Sequence, residues 1–358
     1  MLSMRIQYTS DPFEGRPGAT VVRFEDLEPT TYSRSDIGAN TDYMSWNYGY
    51  DSSRWFDDGE LLKLEPGEYT DFQSHRERVE GPHERCLCVF SGRGVLRTER
   101  SDEPIEQFDC VLVPPEAAYQ IGNVGTDTLW VGAWASVGPN ELQASSSLDP
   151  AERSGAREEY DRIMAARSER GLSTSPGYDG EYDGDPDEGR PEPSVTRFSE
   201  TRPKMFHASP EIGTHTDRPD WIYTFPESEW ISQCVVVRLD PGVFIGFHAH
   251  MENEGPAEEL YWVLNGRARL RTEYRDTTLQ QFDCAYFPTG CPHTVGNVGS
   301  ERIWIAGWLS KGGQEGEFDI DDLETSERPG LEEEYERVMA ARKKRGLPLP
   351  PDVEVELG

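Results

Sequence analysis

The segment 242–266, GVFIGFHAHMENEGPAEELYWVLNG, sets two of only seven histidines, His248 and His250, one residue apart, and Glu259 follows after MENEGPAE. In an extended strand, residues i and i+2 leave the same face, so both imidazoles reach one ion if that face points inward. Along LYWVLNG the same alternation puts Glu259, Tyr261 and Val263 on one face, from which a neighbouring strand brings a hard carboxylate oxygen towards the two rings. A third imidazole, His293, begins the next strand in FPTGCPHTVGN, where Pro288 and Gly290 shape a turn. Three neutral imidazoles and one carboxylate suit a six-coordinate divalent ion with two open positions. That favours iron(II) or manganese(II) over a closed tetrahedral structural zinc. Tyr261, one pleat along from Glu259, is the candidate to orient a substrate or donate a proton.

The elements that must position these residues are strands. Short runs rich in β-branched and aromatic residues (CVVVRLDPG, EELYWVLNG, DCAYFPTG, ERIWIAGW) are separated by Gly, Pro, Asn and Asp, a pattern that predicts an all-β sandwich or barrel. The chain also repeats itself. RSGAREEYDRIMAARSERGL (153–172) matches RPGLEEEYERVMAARKKRGL (328–347), and the stretches 91–136 and 265–310 match upstream of them. Each copy closes with one helix, for which Tyr335, Val338 and Met339 supply the apolar positions and Gly346 and Pro348 the stop in the second copy. Residues 173–194, rich in Gly, Pro, Asp and Ser without periodicity, read as a solvated linker. The predicted organisation is a first barrel with helix over 1–172, the linker over 173–194, and a second barrel with helix over 195–358.

The pattern Gly242, His248-x-His250, Glu259 and Gly266 resembles the first motif of the cupin superfamily, and Pro288-x-Gly290, His293 and Asn297 resembles its second. With the duplication, the chain resembles a bicupin. The resemblance implies two tandem jelly-roll barrels of the double-stranded β-helix type, each followed by a C-terminal α-helix. It also implies a metal held by His248, His250, Glu259 and His293. Two departures stand out. Eight residues separate His250 from Glu259, which lengthens a loop and leaves Glu254 and Glu258 as competing ligands. The glycine expected six residues before Pro288 is Phe282. Sites of this kind most often serve iron(II) dioxygenases, or manganese decarboxylases and isomerases of small acids or sugars. The expectation is an iron(II) dioxygenase-type oxidoreductase acting on a small oxygenated or aromatic metabolite. The alternatives are a manganese lyase or isomerase, and a non-catalytic binding or storage protein braced by its metal.

The first copy lacks this set. Gln73 stands opposite His248, His75 opposite His250, Arg85 opposite Glu259 and Tyr119 opposite His293. An arginine cannot ligate a cation, so the first barrel is expected to bind no metal and to be structural, an anion site at Arg85 being the alternative. His83, His207 and His215 are read as lying outside the site. Cys291, near His293, is read as a buried inert thiol.

Asp and Glu total 67 against 35 Lys and Arg, five of them Lys, giving a net charge of −32. Such a field repels nucleic acid and anionic membranes, leaving a small molecule as the partner and a homodimer open. The balance resembles that of proteins from salt-accumulating haloarchaea. No apolar run spans a membrane, and the six cysteines sit in strand-like runs of a chain too large to need staples. The expectation is a cytoplasmic protein with free thiols.

Overall fold

A computed structural model describes residues 4–13, 15–32, 43–50, 53, 55–74, 84–136, 156–175, 178, 180, 182–186, 189–208, 216–250, 257–311, 330–350 and 353–357. The chain is all-β apart from a short 3-10 turn at Phe24–Asp26 and two α-helices among these residues, α1 (Ala156–Glu169) and α2 (Leu331–Lys344). It divides into two compact units, and these do not follow the two halves of the sequence. One comprises Met1–Asp26, Arg202–Thr224 and Ser232–Gly358, the other Leu27–Thr201 and Phe225–Ile231.

The unit that carries the histidines is built on two sheets. The larger runs, in spatial order, Lys204–Phe206, Arg218–Thr224, Ile231–Leu239, Ile303–Ser310, Glu259–Val263, Cys284–Phe287 and Thr20–Val22. The smaller runs Asp276–Gln280, Arg267–Thr272 and His293–Asn297. Residues on the inward faces of both, among them Val237, Leu239, Ile245, Val263, Leu270, Leu279, Val295 and Ile305, form one continuous apolar cluster. The other unit repeats the plan, with Ser194–Thr196, Cys110–Val113, Glu84–Ser91, Leu129–Ser136, Phe56–Leu64, Tyr43–Gly49 and Thr30–Tyr32 in its larger sheet.

The departure from the sequence halves rests on a short repeated signal, Arg-Phe at 23–24 and at 197–198. In the second-barrel unit, Arg23 Nη1 lies 2.5 Å from Asp283 Oδ2 and the Phe24 amide donates to Asp283 Oδ1 at 3.0 Å. The Phe24 ring meets Phe282 edge-on at 5.4 Å. In the first-barrel unit, Arg197, Phe198, Asp109 and Phe108 make the same set, with 3.0 Å, 2.9 Å and 5.2 Å for the corresponding contacts. Phe282, which replaces the expected glycine, has φ 66° and Phe108 has φ 70°. Side chains rarely adopt that conformation, at a cost on the order of 1 kcal/mol. Here each ring is packed against its Phe partner, which offsets the strain.

Each helix docks through two buried arginines rather than through apolar residues alone. Arg337 pairs with Glu273 at 2.5 Å and Arg342 with Asp276 at 2.7 Å. Arg162 pairs with Glu99 at 2.6 Å and Arg167 with Asp102 at 2.7 Å in the other unit. The segment read as a solvated linker is likewise tied down. Ser175 is buried against Tyr160, Pro186 O accepts from Arg162, and Arg190 pairs with Glu159. Polar anchors leave no periodicity, so the sequence pattern could not reveal them. All six cysteines are buried and none is in a disulfide, and among the described residues no helix is long and apolar enough to cross a membrane.

Candidate metal centre

Glu259 opens the strand Glu259–Val263, flanked by Leu309 on one side and Phe287 on the other. His293 opens His293–Asn297, with Thr272 opposite it. His248 and His250 do not lie in a continuous strand as the spacing predicts. The segment is extended but joined only by isolated bridges, Phe244 to Gly296 and His248 to His293. The second bridge carries two backbone hydrogen bonds, His248 N–H to His293 O at 3.1 Å and His293 N–H to His248 O at 2.9 Å. The Gly290 amide donates to His250 O at 2.7 Å. Behind the pair, Phe247 packs into the apolar face of α2 with Leu331, Tyr335, Val338 and Met339, so the helix braces the histidine segment from outside the barrel.

Three imidazoles converge on one carboxylate oxygen. Glu259 Oε2 lies 2.8 Å from His293 Nε2, 3.1 Å from His250 Nε2 and 3.4 Å from His248 Nε2. All four residues are buried. His248 Nδ1 lies 2.8 Å from Gly246 O and His293 Nδ1 lies 2.9 Å from Cys291 O. A carbonyl accepts only, so each Nδ1 carries the proton and each Nε2 presents a lone pair. The Phe287 ring stacks on His293 at 3.7 Å and fixes its plane. Burial, reinforced by the neighbouring His293, lowers His248 to about 3, so it is neutral and ligand-ready at ordinary pH. Burial alone would raise Glu259, yet the three imidazoles outweigh it and hold the carboxyl well below its usual range.

The Nε2 lone pairs of His248 and His293 and those of a carboxylate oxygen repel one another unless a cation lies among them. Ligand atoms about 2.1–2.2 Å from a common ion and at right angles to one another sit roughly 3.0–3.1 Å apart. The three nitrogen–oxygen separations bracket that figure, and the donor atoms of His248, Glu259 and His293 all lie within 4.8 Å of one another, so these three fit a divalent ion, with His250 beside them through its contact to Glu259. Of the competing carboxylates, Glu258 is buried with its amide donating to Ser310 Oγ at 2.9 Å, and the group of ligand atoms within 4.8 Å of one another is formed by His248, Glu259 and His293. Glu254 lies outside the described residues. Tyr261 is buried in the same cavity, its ring 5.8 Å from His293, and burial with the nearby Glu259 charge pushes its hydroxyl well above the ordinary value.

The first barrel reproduces the frame with other chemistry. Gln73 pairs with Tyr119 in the register that joins His248 to His293, and Arg85 lies opposite Val113 as Glu259 lies opposite Phe287. Arg85 Nη1 donates to Gln73 Oε1 at 2.9 Å and to Tyr119 Oη at 3.0 Å, and Nη2 meets Glu60 Oε2 at 2.9 Å. A tethered guanidinium thus sits among the groups at these positions, with its own buried counter-charge. His75, His83 and His215 lie outside the described residues. His207 is exposed and pairs with Asp217 at 3.4 Å, away from the cavity. Cys291 is buried, and burial pushes its thiol up.

Two residues that the sequence reading passed over line the wall of the cavity with His248, His250, Glu259 and Tyr261. They are Arg218 and Asp220, on Arg218–Thr224, with Phe206, Ile222, Val235, Val237 and Ile245 around them. Both are buried, and Arg218 contacts Asp220 Oδ2 through Nε at 3.2 Å and Nη2 at 3.1 Å. The signal was the alternation Arg-x-Asp-x-Ile, two charges on the inward face of a strand. In the first barrel the same register holds Tyr43 and Ser45, Ser45 opposite Leu62 as Asp220 is opposite Val237.

This frame, two barrels each closed by a helix, is the two-barrel jelly-roll fold of bicupins. A cupin-domain family model matches residues 235–305. A serine-to-alanine variant of Bacillus subtilis oxalate decarboxylase superposes with a TM-score of 0.57 at 14% identity, over 85% of this chain and 80% of that one. The formate complex of Lactobacillus farciminis oxalate decarboxylase gives 0.57 at 15% identity, over 85% and 89%. A further Bacillus subtilis oxalate decarboxylase, described through its Mn(II) centres, gives 0.57 at 14% identity, over 86% and 81%. At these identities the likeness is one of fold. No curated protein sequence matches the chain.

Proposed function

We propose that the second barrel holds one divalent ion through His248, His250, Glu259 and His293, manganese(II) ahead of the iron(II) expected from the sequence. We further propose that it acts on a small carboxylic acid as a decarboxylase or related lyase. The observation that carries this reading is the convergence of three imidazole Nε2 atoms on one buried carboxylate oxygen. The preference for manganese and for carbon–carbon cleavage over dioxygenation is supported by the solved neighbours, which are oxalate decarboxylases, one described with Mn(II). When bound, such an ion supplies Lewis-acid polarisation of a substrate oxygen.

The protein's own residues supply the rest. Ile222, Val235, Val237 and Ile245 keep the cavity walls apolar and limit water around the reacting atoms. Tyr261 keeps its proton at all ordinary pH values, because burial and the charge of and hydrogen bond to Glu259 disfavour the phenolate, and its role in this reading is to orient Glu259 and, on releasing it, to donate to a substrate oxygen. The cavity measures about 60 Å3. On the measure by which one water needs roughly 10–15 Å3, it holds roughly four to six water-sized groups, the size of a two- or three-carbon acid.

The test is reconstitution of the purified chain with manganese(II), followed by two-to-four-carbon acids with CO2 release and O2 uptake recorded together. Release of CO2 without stoichiometric O2 uptake, abolished in His293→Ala, is the expected result. Stoichiometric O2 consumption would favour the dioxygenase reading and overturn this one.

A further inference from the structure

The wall that Arg218 and Asp220 contribute to the cavity is charged, buried and only partly satisfied. Asp220 Oδ2 takes both contacts from Arg218, while Oδ1 is buried with no hydrogen-bond partner among the described residues. A buried carboxylate oxygen left without a donor costs on the order of 1–3 kcal/mol, so it is a group that a ligand or water in the cavity would satisfy. Arg218 is held on its other side by the face of Phe206, 4.7 Å from its guanidinium carbon, which fixes the direction of the fork. Lys204, opposite Asp220 on the neighbouring strand, turns its ammonium over the same ring at 5.3 Å and does not line the cavity.

The charge balance decides what fits. The two charged groups of this pair that line the cavity, Arg218 and Asp220, cancel, with the Lys204 charge acting on Asp220 from behind the wall, so the lining is a dipole with donors on the arginine and an open acceptor on the aspartate. A second carboxylate placed there gains the guanidinium but sets its own charge against Asp220 Oδ1. A hydroxyl gains at both ends, because it donates to Oδ1 and accepts from the arginine. Across the cavity, a divalent ion less the Glu259 charge leaves one net positive charge, which matches a single carboxylate.

We propose that the Arg218–Asp220 pair recognises a substrate hydroxyl, and that the substrate is a short monocarboxylic hydroxy acid rather than a dicarboxylic acid. This rests on the reading of the second barrel as a metal site for small acids. It separates the chain from neighbours whose printed substrate, oxalate, carries two carboxylates. The first barrel offers no equivalent pair, since Tyr43 and Ser45 stand at those positions and spend their hydroxyls on Asp71 and Glu60.

Isothermal titration of the Mn(II)-loaded full chain with 3-hydroxypropionate, propionate and malonate tests it. A hydrogen bond to a charged partner corresponds to roughly tenfold or more in affinity, so 3-hydroxypropionate should bind at least about tenfold tighter than propionate, and tighter than malonate. In Asp220→Asn the hydroxyl loses its charged acceptor and Arg218 its counter-charge. The hydroxy acid should then weaken and malonate strengthen, reversing the order. Malonate binding best to the wild type, no advantage from the hydroxyl, or an unchanged order in a folded Asp220→Asn would each overturn the inference while leaving the metal site standing. The wild-type comparison decides the matter alone if the variant fails to fold. Failure of Mn(II) itself to bind, read in the loading step, would remove the underlying reading and the inference with it.

Discussion

Replacing Arg342 by methionine should unfasten α2 from its barrel and, through Phe247, loosen the histidine segment. Arg342 is fully buried, pairs with Asp276 at 2.7 Å and donates to the carbonyls of Pro348, at 2.7 Å, and Thr272. Methionine keeps much of the stem's packing but leaves Asp276 and two carbonyls short of their donor. Removing one partner of a buried pair costs about 3–5 kcal/mol, and the low end applies because Asp276 keeps Arg271 at 3.8 Å and some contact with solvent. For a unit of this size, about 3 kcal/mol corresponds to a fall in Tm of roughly 6–12 °C. The assay is a thermal melt of wild type, Arg342→Met, Asp276→Asn and the double variant at fixed salt and metal. If the ion pair is the source, Asp276→Asn should cost far less in the Arg342→Met background than in the wild type. A single-variant shift below about 2 °C, or strictly additive effects, would refute the docking argument.

Arg85→Met should destabilise the first barrel by about 3–5 kcal/mol by leaving the Glu60 charge buried without its counter-charge, the Ser45 hydroxyl being the donor that stays, while the metal content per chain stays the same; denaturant melts and elemental analysis read the two effects. Asp220 is raised from 3.8 to about 6, chiefly by burial, against the opposing charges of Arg218 and Lys204. The folded state therefore holds this proton more tightly than the unfolded chain. Its contribution to stability is present in full below pH 4 and is lost as pH rises through about 6. Asp220→Asn, which never ionises, should gain stability relative to wild type between pH 5 and pH 7, and denaturant titrations at the two pH values check the sign. With a net charge of −32, the chain repels itself in dilute buffer, where the screening length is about 10 Å at 0.1 M salt and about 3 Å at 1 M. Tm should keep rising into molar potassium chloride; a curve flat above a few hundred millimolar would count against a halophilic composition.

The sequence pattern carried the architecture because duplication, strand alternation and turn residues are local signals. The strands around Glu259 and His293 and both helices lie where that pattern puts them. It also selected residues that the structure brings to one point, since His-x-His spacing and a carboxylate on an inward face constrain geometry strongly. What it missed was non-local. The regrouping of residues 20–24 and 194–198 rests on one Arg-Phe pair per arm, too short to stand out until Asp283 and Asp109 are seen beside it. The four docking arginines left no signal, because a charge on a helix carries no mark of burial until its carboxylate partner is placed. Arg218 and Asp220 were hidden for the same reason, being charges on a strand whose inward face is known only once the barrel closes. The histidine pair lies on an extended segment without a full ladder, which alternation alone could not separate from a strand.

The central claim is that one barrel binds a metal ion and the other carries Arg85 in its stead. Elemental analysis of the purified chain after manganese(II) loading and desalting, alongside His293→Ala, measures it directly. One ion per chain is predicted for the wild type, with affinity reduced by roughly a hundredfold or more in the variant, since even supporting residues of a metal site are worth 10- to 100-fold. Two ions per chain, none, or full occupancy in His293→Ala would contradict it.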